Sequence, residues 1–155
     1  MNQKQTIGKN EEVTLGRVLG DLEIREGATL VAEHDTIEVE GTIRCRGNIT
    51  CEGNLKARNF HCKAGEAIIE GNLEVKQQIN VDKSLVVEGT LVANSANVGN
   101  TLKVEENIQC QAVSVGGAVK VGGKAAIETI RVGGALKIVD EGNIGTIAVG
   151  GTVKL

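Results

Sequence analysis

The chain predicts an all-β, single-domain parallel β-helix, and three observations carry that prediction. A 17-residue period runs through its C-terminal half, and within each repeat apolar residues alternate with polar or small ones. The third is composition: 155 residues hold 21 Gly and one Phe, but no Pro, Trp or Tyr. A helical bundle would not tolerate so much Gly. With 41% apolar residues and a net charge of only −3, the chain also lacks the signature of disorder.

The repeat is plainest near the C-terminus. Gly116–Val132 reads GGAVKV GGKAAI ETIRV, and Gly133–Val149 reads GGALKI VDEGNI GTIAV, each 17 residues split 6 + 6 + 5. Gly150–Leu155 restarts the cycle as GGTVKL. Stepping back gives Gly99–Val115 and Asp82–Val98 at 17, Lys63–Val81 at 19, Arg46–Cys62 at 17 and Gly27–Cys45 at 19. In each piece the last residue and the one two before it are apolar. This is strand alternation with two side chains inward and one outward. The positions between pieces hold Gly, Asn, Glu, Asp or Lys, which let a chain turn a corner.

From Arg46 to Leu155 this register defines 38 inward positions; 37 are Val, Ile, Leu, Ala, Cys or Phe, and the other is Gly142. At 24% charged residues, a random chain would place about nine charges there, and this one places none. Three short strands per turn, each turn stacked on the last, give a parallel β-helix of seven to eight coils. The narrow bore explains the missing aromatics. Pairing of every strand with the coil beside it explains the missing Pro.

Taken in order, Met1–Asn10 reads as a disordered polar tail, residues 11–26 as an irregular first coil or cap, and 27–155 as the β-helix. Such a helix is closed around its circumference and open at its ends, where unpaired strand edges invite another chain. Gly150–Leu155 continues the repeat, so the last coil is expected to be uncapped. The expected polymerisation ends are therefore Val153 and Leu155 on one side and Leu15, Leu22 and Ile24 on the other. Charge is uneven along the chain: 12 basic and 17 acidic residues through Cys110, then 5 basic and 3 acidic from Gln111.

Pieces such as Glu40–Cys45 (EGTIRC), Glu70–Val75 (EGNLEV), Glu88–Ala93 (EGTLVA) and Gly133–Ile138 (GGALKI) resemble the bactofilins, polymer-forming cytoskeletal proteins. The resemblance covers about Gly27 to Leu155. It implies a right-handed, triangular β-helix that assembles end to end, without nucleotide, into non-polar filaments that scaffold other proteins. The sequence departs from that family in lacking Pro-rich flanks and an apolar membrane-touching N-terminal segment.

Other chemistry finds little footing. The acidic balance and the near absence of rings argue against nucleic acid as a partner. No apolar run reaches the ~18 residues a spanning helix needs. The start has no signal-peptide core, so four Cys read as reduced thiols in a cytoplasmic protein. Cys45, Cys51, Cys62 and Cys110 all fall on inward positions and read as core residues rather than metal ligands. His61 alternates outward, and His34 sits in a corner stretch beside Asp35; neither has a triad partner. No catalytic, cofactor or metal residue is expected. Two alternatives stay open: a hexapeptide-repeat-like acyltransferase, to which VGGAVK and VGGKAA lend some likeness, and a β-helical accessory module of a larger complex.

Overall fold

The computed structural model describes residues 4–154. It is built entirely of parallel strands wound into a three-faced solenoid, with no helix among the described residues. Nine rungs stack on the first face, from Glu12–Leu15 to Thr152–Lys154, and nine on the third, from Lys4–Ile7 to the end of Gly142–Val149. The stack is thus longer than the seven to eight coils expected. At about 4.8 Å per rung it runs roughly 40 Å.

The extra rung lies at the N-terminal end. Residues 4–7, expected within a disordered tail, form a strand paired in register with Asp21–Ile24. Ile7 stacks on Ile24, 17 residues on, and is only 1% exposed. One apolar residue at the right spacing draws a polar segment into the stack.

The interior follows the alternation. Every predicted inner position from Ile49 through Ile138 is 7% exposed or less, and no polar or charged residue among those described is buried. In-register pairing stacks like on like, as in Leu55, Leu73 and Leu91 on the second face and Val98, Val115 and Val132 on the third. Phe60 is fully enclosed between Ile43 and Ile79. Burying some forty aliphatic side chains supplies the main folding drive.

Irregularity is confined to the N-terminal half. Between Val31 and Thr36 the register shifts at a β-bulge. Ala28 and Leu30 therefore line the core opposite Ile49 and Cys51, and the alternation that would point Ala32 inward breaks: Ala32 lies half-buried at the bulge. Ile24 consequently pairs with Cys45, 21 residues on. The 19-residue coil has two extra residues, one between Val75 and Ile79 and the other at the corner of Ala64. Ala64 takes a left-handed φ of 57°, and its N–H donates to Asp82 Oδ2 at 2.9 Å.

Corners are held in two ways. Asparagines cap the next rung: Asn54 Oδ1 accepts from the Asn72 N–H, Asn72 Oδ1 from the Thr90 N–H and Asn107 Oδ1 from the Lys124 N–H, each at 2.8 Å. In the regular half, Gly-Gly pairs stack directly on one another. They are not there for positive φ; a Cβ on Gly133 would run into the carbonyl oxygen of Gly116 one rung below.

Candidate functional site: the two ends of the solenoid

Among the described residues no strand pairs with the outer side of the last rung, Gly142–Val149 and Thr152–Lys154. Its inner residues are correspondingly uncovered: Ile147 is 38% and Val153 42% exposed, and Ile144 and Val149 are half-buried. Gly142, the one inner position without a side chain, belongs to this rung. Residues 142–153 carry no charge, Pro or bulge, and Lys154 is the first charged side chain after Glu141. Natural edge strands are usually blunted by just those devices. This edge is long, neutral and apolar on its inner side.

The N-terminal end differs. Leu15, Leu22 and Ile24, expected at its tip, are buried. Leu22 and Ile24 belong to the second rung of their face, covered by residues 4–7, so they do not form the terminal surface. The chain between Lys4–Ile7 and Glu12–Leu15 closes in a tight turn, with the Gly8 N–H donating to Glu11 Oε1 at 2.9 Å and the Glu11 N–H to the Gly8 carbonyl at 3.2 Å. Nine of residues 4–26 are charged. Of the expected end residues, the structure exposes Val153 and buries Leu15, Leu22 and Ile24; Leu155 lies outside the described residues. Ile147 is the other exposed inner residue of the last rung, on the third face. Its role emerges once the final rung is seen to lack a neighbour.

The remaining candidates sit where alternation puts them. All four thiols are free and buried. Burial raises the Cys45 pKa and pushes those of Cys51 and Cys110 up to about 12, so these remain protonated, space-filling groups. Cys45 and Cys62 are in-register neighbours on adjacent rungs. His61 is half-buried on the outside of the third face. Asn80 Nδ2 donates to its Nδ1 at 3.1 Å, and Asn97 Nδ2 donates to Asn80 Oδ1 at 3.1 Å, a polar ladder over three rungs. Burial lowers the His61 pKa, helped by Arg44 and Lys63. His34 is exposed in the bulge.

Shallow hollows run along the second face. One, of about 590 Å³, is lined by Glu74, Val92, Asn94, Gln109, Cys110 and Glu128 among others, with no histidine in its lining. Among the described residues no three His, Cys, Asp or Glu are grouped to hold a metal, and no helix is long and apolar enough to cross a membrane. No protein-family model, curated protein or solved structure matches the chain.

Proposed function

We propose that this β-solenoid is a structural protein that assembles end to end into filaments through its two terminal rungs, the C-terminal one making the stronger contact, in the manner of the bactofilins that its repeats resemble. The observation that carries this reading is the uncharged rung 142–153, whose inner residues Ile147 and Val153 stand exposed on an edge that no strand covers. Pairing that edge with a second copy continues the hydrogen-bond ladder and buries both side chains, the two sources of strand-edge affinity. Nucleotide has no part in it. The outer faces remain free for scaffolded proteins, and the free, buried thiols fit a reducing cytoplasm.

The test is assembly of the purified chain without nucleotide, followed by light scattering and negative-stain electron microscopy. Val153→Glu and Ile147→Glu each place a carboxylate on the exposed inner ladder and should abolish elongated assemblies while leaving the circular dichroism spectrum unchanged. Filaments of unaltered length in both variants would refute the proposal.

A further inference from the structure

The outer side of the first face carries two rows of like charge. Lys103, Lys120, Lys137 and Lys154 are in-register partners on successive rungs, each directly over the last. Glu52, Glu70, Glu88 and Glu105 form a second row at the adjoining corner. Each directly follows an inner residue of the face, and the N–H groups of Glu70, Glu88 and Glu105 donate to the carbonyl one rung back at 2.8–2.9 Å. Counted from Glu12–Leu15, the glutamates occupy rungs three to six and the lysines rungs six to nine.

Stacking like charges at strand spacing, about 4.8 Å, is unfavourable. Elsewhere the solenoid sets opposite charges on neighbouring rungs, as in Lys56–Glu74 at 3.5 Å, Arg44–Asp21 at 3.9 Å and Arg17–Glu40. The two rows are the longest departures from this; Arg46 over Lys63 on the third face is a single like-charged pair. Glu52, Glu70, Glu88, Lys120 and Lys137 are all exposed and, among the described residues, have no ion-pair partner. Only on the shared sixth rung do the rows meet, with Lys103 Nζ 3.9 Å from Glu105 Oε1. That contact also shows that a lysine of one row reaches across to the line of the other.

We infer that the counterpart of these rows is a second copy of this chain, packed side by side and antiparallel about a two-fold axis through the sixth rung. The two rows have equal length, equal pitch and opposite sign, and they are placed symmetrically about that rung. A two-fold there sets Lys103 against Glu105, Lys120 against Glu88, Lys137 against Glu70 and Lys154 against Glu52 of the other copy, and the reverse set as well. A closed isologous contact of this kind satisfies both rows at once. A linear polyanion would satisfy only the lysines and would leave the glutamates of rungs three to five without a counterpart. The contact uses the side of the solenoid and so stands independently of end-to-end assembly.

The experiment isolates it in the full chain carrying Val153→Glu, by sedimentation velocity. Dimers are expected at about 0.05 M salt and should dissociate as salt rises to about 0.5 M, where screening shortens to a few ångströms. Adding Lys120→Glu with Lys137→Glu, or Glu70→Lys with Glu88→Lys, should each weaken dimerisation at least about tenfold. An equimolar mixture of those two double variants should restore it, because each reversed row then meets its complement. A monomer at all salt concentrations would overturn the inference. So would dimers insensitive to either reversal, a loss confined to the lysine variant, or a mixture that fails to recover.

Discussion

The two halves of this solenoid solve one packing problem differently. From Asp82 onward the coils repeat every 17 residues, and corners close by stacking glycine on glycine, as Gly116, Gly133 and Gly150 do. Before it, coils of unequal length absorb their extra residues in a bulge at 32–35, between Val75 and Ile79, and in a left-handed corner residue, Ala64. Among the described residues, the last rung of the regular half, 142–154, has no charge before Lys154 and no strand paired on its outer side. The irregular half ends in a charged first coil whose inner residue Ile7 is covered. A strict repeat leaves each rung a ready template for another, whereas irregularity spoils the template.

Substitutions along a single inner ladder should expose the difference most strongly. Leu85, fully buried at mid-stack, and Val153, on the last rung, occupy equivalent columns. Leu85→Ala should cost about 2–5 kcal/mol in denaturant unfolding. Val153→Ala in the unassembled chain should cost under about 0.5 kcal/mol, because its side chain is only partly packed. Equal costs would mean that the terminal rung is covered after all.

Corner chemistry gives a smaller effect, of opposite sign in the two halves. Gly133→Ala should destabilise by about 1–3 kcal/mol, because its Cβ meets a backbone carbonyl that cannot yield without parting two rungs. Ala64→Gly, at the same corner of an irregular coil, should be neutral or stabilise by up to about 1 kcal/mol by relieving a left-handed Ala. Thermal melts of the pair would check both signs.

The least effect is expected from pH. The His61 pKa lies below its ordinary 6.5 because burial, Arg44 and Lys63 disfavour the imidazolium. The unfolded chain therefore binds that proton more readily. Its contribution is complete above about pH 6.5 and is lost progressively as pH falls through the lowered folded value. His61→Gln should flatten the difference in unfolding midpoint between about pH 7.5 and about pH 5.5, and an unchanged difference would remove His61 as its source.

Most of the interior was legible in the sequence because alternation and period record the inner ladder one residue at a time. Ile49 through Ile138 needed no structure to assign. Residues 4–7 and 28–32 were not legible in the same way. A lone Ile7 in a polar segment gives too little pattern, and a bulge resets the alternation that would otherwise place Ala32. The end residues show the same division: Val153 followed from the repeat, whereas the burial of Leu22 and Ile24 depended on an unrecognised strand above them.

The sequence by itself determined the class of fold, the three strands per turn and the identity of the core, since each depends only on which residues recur at fixed spacing. The tertiary structure decided how many rungs the described residues form, which inner residues stay uncovered, and that lysines 17 residues apart become a line of charge continuing, one column over, from a line of glutamates on the lower rungs. Those outcomes depend on register between segments far apart in the chain, and register is fixed only when hydrogen bonds join one coil to the next.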